Sequence, residues 1–347
     1  MSARASIPSR LAGGYADRGD YDPRPRPDAN GVSPGVLKSI DTLLGSLLGR
    51  TAARAAHRRL RERRPAALRG LSNVLGQCGA PTGARDEEAP IFVLSAGWRA
   101  GSTLLQRLIL SAPDVLLWGE PYDRCDLVPS LFGTLAAFDA DWPPAEYYLT
   151  ARGGAPLSQS WVANLYPALP ALRAAHRAFL QSLCAEPARA AGAARWGLKE
   201  VRLGIDAARY LLWLYPAARF VFLYRNPYDA WRSYRRRGAP WYLTWPDGPI
   251  FTPHAYGRLW RHLVQDFIDH GTALGGLVLR YEDLIGQPAS LDALEAHLGL
   301  RLDRSVLDAQ VGSSHAGRDA DRWLPLSDRL LLRHAVEPLA ARLGYRL

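Results

Sequence analysis

The chain has 347 residues, 48% of them hydrophobic, and a formal net charge of +10. That is enough apolar material for one sizeable core, and no apolar run approaches the ~18 residues of a membrane span. The three cysteines, Cys78, Cys125 and Cys184, have no metal-ligand spacing and are too few for a disulfide framework, which points to a reducing cytoplasm.

The make-up of the charge matters more than its size. Of the 43 basic residues only Lys38 and Lys199 are lysine, so arginine excess reads as compositional bias. No helix-turn-helix, zinc-finger or RNP signature accompanies it, and no nucleic-acid partner is expected. Anionic small molecules suit the charge. In a chain that writes arginine almost everywhere, the retained Lys199 suggests a site that wants a compact, rotatable ammonium.

Residues 1–32 are rich in Gly, Pro, Arg and Asp, lack any period, and read as disordered. Ser33 and Pro34 resemble a helix N-cap and first helical residue. The stretch that follows carries an apolar stripe (Val36, Ile40, Leu43, Leu44, Leu47, Leu48) and a strongly basic end. Residues 33–88 are therefore expected to form a helical basic extension. It would pack on the main domain or on a second subunit as a homodimer. The alternative is a peripheral membrane contact over residues 33–70, since an apolar stripe beside an arginine cluster is also the signature of a membrane-surface helix. The N-terminal MSARASIPSR lacks a signal-peptide core, again favouring the cytoplasm.

Ile91 to Leu94 form a β-prone apolar run, and from Ser102 the pattern turns helical, with Leu104, Leu105, Leu108 and Ile109 on one face. Between them lies S-A-G-W-R-A-G, spanning Ser95 to Gly101. Strand, glycine-containing turn and helix N-terminus make an anion cradle of backbone N–H groups. Ser102 and Thr103 add hydroxyls, and Arg99 adds a fixed charge. The loop is not a Walker A motif: Gly97 and Gly101 are one residue too close, and no lysine follows Gly101.

Further on, Val115–Leu117 reads as a strand leading to Trp118-Gly119-Glu120. The irregular aromatic segment 123–170 has the length of a substrate lid. A helix is expected over Ala171–Cys184, a strand over Trp196–Val201, a helix over Ile205–Leu214 and a strand over Arg219–Tyr224. This alternation predicts an α/β fold with a central parallel sheet flanked by helices, binding ligands beyond the carboxyl ends of its strands. Arg225 follows the last of these strands directly. Asn226 and Pro227 look like the N-cap and first residue of a helix that carries Ser233 in its second turn.

The cation before the second glycine in R-A-G-S-T resembles the 5′-phosphosulfate loop of sulfotransferases. These enzymes use 3′-phosphoadenosine 5′-phosphosulfate (PAPS). Arg225 and Ser233, eight residues apart with Asn-Pro after the arginine, resemble the family's 3′-phosphate motif. LRYEDL (Leu279–Leu284) resembles a segment of the same enzymes, with a structural role. S-S-H-A-G-R-D-A-D-R-W-L resembles their nucleotide-closing C-terminal loop. The resemblance spans residues 89–347 and implies a P-loop-like three-layer sulfotransferase domain. It makes Gly97, Trp98, Arg99, Ala100, Gly101, Ser102, Thr103, Arg225 and Ser233 nucleotide-binding residues. Ser313 or Ser314, Arg318 and Arg322 are the C-terminal candidates.

The base follows from a departure. Phenol and steroid sulfotransferases carry a histidine in a K-T-H-type segment, where this chain has L-K-E-V with Val201 in the histidine's place. Tyrosylprotein and many carbohydrate sulfotransferases resemble this chain more, with a glutamate after the second strand, the place of Glu120. The resemblance thus implies Glu120 as general base, Lys199 on the leaving group's bridging oxygen and Glu200 as the reserve base. PAP, 3′-phosphoadenosine 5′-phosphate, would be the product, and the leaving phosphate is stable enough that no metal is expected. Trp241, Tyr242, Trp245, Phe251 and His254 could shape a cleft for a hydroxyl-bearing acceptor: a glycoside, glycolipid, phenol or secondary metabolite. The alternatives are a P-loop-type kinase, which needs the absent lysine, and a non-catalytic nucleotide-binding protein.

Overall fold

Continuous apolar runs become buried parallel strands, because helices cover both faces of such a sheet. The computed structural model describes residues 67–75, 88–121, 126–151, 156–159, 161–235, 250, 252–308 and 324–346. The expected disordered tail and most of the basic helix lie outside these residues. So do Trp241, Tyr242, Trp245, Phe251, Ser313, Ser314, Arg318 and Arg322.

Five strands, β1 (Ile91–Ser95), β2 (Val115–Trp118), β3 (Arg195–Glu200), β4 (Arg219–Tyr224) and β5 (Leu277–Arg280), form one sheet in the order β2-β3-β1-β4-β5. Every pairing is parallel. Alternate residues of β1 and β4 enter two separate cores, as the two-residue period of a strand requires. Phe92, Leu94, Phe220 and Phe222 face one, with Trp196 and Tyr215, while Ile91, Val93, Val221 and Leu223 face the other. The second core is closed by α1 (Ser102–Leu110) and by α6 (Pro288–Leu298). The first is closed by α2 (Leu169–Leu180), α3 (Ile205–Leu214), α4 (Pro227–Arg235), α5 (Pro253–His270) and α7 (Leu326–Val336). This is the three-layer α/β arrangement expected from the alternating pattern. β1 sits between β3 and β4, so the chain's crossovers change direction beside it, and in sheets of this kind ligands bind at the carboxyl edge next to that switch point.

Two stretches depart from expectation. The helix expected to run through Cys184 ends at Leu180 and continues as a π-helical turn, Gln181–Ala185. Pro187 has no N–H to return to the Leu183 carbonyl, so the α ladder cannot pass and the turn widens. The aromatic segment begins with a short helix, Leu127–Gly133, and folds on itself through a Tyr148–Tyr166 bridge and edge-on contacts of Tyr147 with Trp142 and Tyr166. Asp139 and Ala140 line a groove of about 920 Å³ with Leu68, Trp213 and Leu274. Trp213 ends α3 and Leu274 precedes β5, so this part of the expected lid lies at the amino edge of the sheet, the end opposite Glu120.

Helical residues 67–75 join the first core through Ala67, Leu71 and Val74. Ahead of β1, Glu88 accepts hydrogen bonds from Trp196 Nε1 (2.7 Å), Arg189 (3.0 Å) and Gln181 (3.1 Å), and pairs with Arg177 at 3.6 Å. One partly buried carboxylate thus fastens the entry of the central strand to β3 and to the helical layer beside it. Glu88→Ala should lower unfolding free energy by roughly 2–3 kcal/mol, since several donors lose a charged acceptor. The urea-denaturation midpoint checks this, and a change under about 0.5 kcal/mol would show the cluster to be ornamental.

Candidate active site

Each of the five strands delivers a functional-type residue to the same carboxyl edge. After β1 the chain makes a tight loop in which Gly97, Arg99 and Gly101 all have positive φ, at 84°, 67° and 94°. Left-handed residues at alternate positions turn successive N–H groups toward one concavity, a backbone nest for anions. Two of the three are glycine, for which this is free; Arg99 bears a cost of about 1 kcal/mol, which is how functional loops store strain. A Cβ on Gly101 would lie 2.1 Å from the Tyr281 ring, so its side-chain space is already filled. The loop is tied to the sheet by Ala96 N–H on Leu223 O (2.8 Å), and to α5 by the Tyr256 hydroxyl on Trp98 O (2.8 Å).

Trp98 itself is 6% exposed and packs on Tyr234, which gives its side chain a place in the core. Ala100 and Ser102 are likewise buried, whereas Thr103 is exposed at the first turn of α1. Gly101 is the N-cap of α1 and provides no side-chain cap, so the first N–H groups of the helix remain available.

The second motif meets the first directly. Asn226 Oδ1 accepts from Tyr228 N–H at 2.9 Å, the N-cap bond expected at the start of α4. Ser233, two turns along, accepts from Arg99 Nε at 2.9 Å. Arg225 donates to Arg99 O at 3.2 Å and stacks 4.4 Å over the Tyr281 ring. Residues separated by 134 positions in sequence are thus joined directly by a hydrogen bond. The Arg225 Nε is buried and makes no hydrogen bond among the described residues, so the guanidinium retains donor capacity. Two helix N-termini, Arg99 and Arg225 make this corner strongly attractive to an anion.

On the other side of β1, Glu120 follows β2 and Lys199 lies near the end of β3. They form a short ion pair, with the Lys199 side chain 7% exposed and that of Glu120 21%. Glu200 is 5% exposed. Burial pushes its carboxyl up to about 7; Arg202 opposes the rise, Glu120 adds to it, and Lys199 and the Val201 backbone oppose it. Its Oε2 lies 3.7 Å from Arg202, which also bonds Asp126 at 3.1 Å. The folded chain therefore keeps a proton on Glu200 that an unfolded chain sheds between about pH 4.5 and pH 7, so stability falls as pH rises through that window. Glu200→Gln should flatten the thermal-stability profile between about pH 5 and pH 8. An unchanged slope would locate the pH dependence elsewhere.

The structure thus brings together Gly97, Arg99, Gly101, Ser102, Arg225 and Ser233 on one side of β1, and the Glu120–Lys199 pair on the other. His254 stacks on His334 at the start of α5. The LRYEDL segment, structural by its resemblance, reaches the site as well: Tyr281 lies against Gly101 and Arg225, and Glu282 accepts from Asn226 N–H at 2.9 Å. The signal was positional: the segment ends β5 at the same carboxyl edge as every other candidate.

Comparison with known families settles the broad class. The model of the sulfotransferase family matches residues 90–304, from the lead-in to β1 through the segment after α6. The chain belongs to the sulfotransferase family. Among solved structures, the sulfotransferase domain from the Synechococcus PCC 7002 olefin synthase is similar at 19% identity, covering 77% of this chain and 98% of that one, with a TM-score of 0.40. The sulfotransferase domain from the curacin biosynthetic pathway is similar at 18% identity, covering 75% and 99%, with a TM-score of 0.39. The sulfotransferase STF9 from Mycobacterium avium is similar at 16% identity, covering 83% and 86%, with a TM-score of 0.34. A comparison with curated proteins returns no match.

Proposed function

We propose that this sulfotransferase moves a sulfuryl group from PAPS to the hydroxyl of a small-molecule, glycoside or lipid acceptor. The observation that supports it most is the contact between the two motifs: Arg99 bonded to Ser233 and Arg225 bonded to Arg99 O form one corner with charge for two phosphates. The nest from Gly97 to Gly101, with the α1 N-terminus and Ser102, would hold the 5′-phosphosulfate. Arg225 and Ser233 would hold the 3′-phosphate. The donor supplies an activated sulfuryl group on a phosphate leaving group, and the protein's task is alignment and charge neutralisation.

Glu120 and Lys199 would divide the proton and charge traffic. Glu120 takes the proton from the acceptor hydroxyl as the new S–O bond forms, while Lys199 neutralises the oxygen from which the sulfuryl group departs. Their ion pair supports this division, since Lys199 already lies against the carboxylate that would take the proton. Glu200, lacking a strong partner on Oε2, is the reserve carboxyl. The catalytic unit is taken as residues 89–347, and the C-terminal contacts are assigned to Ser314, Arg318 and Arg322. Among the described residues no helix is long and apolar enough to cross a membrane, and a cytoplasmic location is proposed from composition.

Sulfur-35-labelled PAPS incubated with a panel of phenols, glycosides, lipid alcohols and amines tests the reading. Label should pass to at least one hydroxyl class and to none of the amines. Transfer of phosphate from labelled ATP with none from PAPS would overturn it.

A further inference from the structure

The peptide unit joining Arg225 to Asn226 is gripped at both of its polar atoms. Its carbonyl, Arg225 O, accepts from Trp260 Nε1 at 2.8 Å. Its N–H, that of Asn226, donates to Glu282 at 2.9 Å. Both grips rest on one residue near the end of the chain. The Tyr345 hydroxyl donates to the other oxygen of Glu282 at 2.9 Å, and its ring meets the Trp260 ring edge-on, 6.2 Å between centroids. The Tyr345 ring also meets Tyr224, the residue before Arg225, and carries the Arg280 guanidinium 4.4 Å above its face. Tyr345 is 3% exposed. Burial and the neighbouring Glu282 push its phenol well above the usual range, so it stays protonated and remains the donor.

We propose that Tyr345 is a positioning residue for the 3′-phosphate end of the donor site, acting through Glu282 and Trp260 to fix the Arg225–Asn226 peptide. The proposal rests on the reading that Arg225 binds that phosphate. A guanidinium recognises a phosphate by direction as well as charge, and the peptide sets the direction from which its side chain departs. The N–H of Asn226 opens the turn into α4, so the same grip aims the helix N-terminus and Ser233. Tyr345 touches neither motif's anion-facing groups itself. Tyr345 thus bears on nucleotide selectivity without meeting the ligand.

Calorimetric titration of the whole chain with PAP and, separately, with adenosine 5′-phosphate reads the effect, since only PAP carries the 3′-phosphate. Tyr345→Phe keeps the ring contacts and removes the bond to Glu282. It should weaken PAP binding about tenfold and leave adenosine 5′-phosphate within about twofold. In turnover assays, KM for PAPS should rise by a similar factor with kcat held. Glu282→Gln, which leaves the Tyr345 ring in place, should reproduce the loss and serves as the second variant should Tyr345→Phe fold poorly. Equal weakening of both nucleotides, or a PAP preference unchanged in both variants, would overturn the proposal. A wild-type chain that does not prefer PAP would overturn the donor reading, and the proposal with it.

Discussion

Arg225→Ala should weaken PAP binding by roughly a hundredfold or more, the loss expected when a partly buried, charge-assisted phosphate contact is removed. Its effect on folding should be smaller. The substitution deletes the stacking on Tyr281 and the donor to Arg99 O, worth together about 1–2 kcal/mol. The bond from Trp260 to Arg225 O is made to the backbone and survives. Binding loss therefore outweighs stability loss, and a melting curve recorded beside the calorimetry separates them. A binding loss of less than about fivefold with an intact fold would mean the 3′-phosphate lies elsewhere.

Glu120→Gln should lower kcat by roughly 10²–10⁴-fold, the usual worth of a positioned general base, while PAP affinity stays within a few-fold. The variant has a structural side effect that the assay must account for. Lys199 is almost fully buried, and removing its counter-charge leaves an ammonium with only an amide oxygen to face. That costs roughly 1–3 kcal/mol of stability, less than a full deletion because the amide still accepts a hydrogen bond. Turnover is therefore compared below the melting transition. If activity persists at that temperature, the base is another group, with Glu200 the neighbour to replace next.

The elements that chain-local physics dictates were legible in the sequence. α3 and β4 begin and end where read, because Gly204 and the apolar run after Pro216 punctuate them unambiguously. The N-cap at Asn226 and the cradle from Gly97 to Ser102 were legible for the same reason: caps and tight turns are encoded within a few residues. What the sequence could not convey was which distant elements touch. The bond between Arg99 and Ser233 depends on strand order, and a local reading leaves Arg99 in its own loop. Glu282 resembled a structural acid after a strand, and only the β4–β5 pairing puts it on Asn226. The π-helical turn at Gln181 is not legible, because the apolar period runs straight through it. Length and composition suggest a lid for the aromatic stretch, but they carry no information about which end of the sheet Asp139 and Ala140 visit.

If one site beside β1 holds both phosphates of a single nucleotide, calorimetric titration of the full chain with PAP and with ATP will distinguish the two ligands. PAP should bind tightly at one site per chain, at least tenfold better than ATP, and Arg225→Ala should erase that preference. Equal or better binding of ATP, or no heat with PAP at all, would mean that the two motifs do not form a PAPS site.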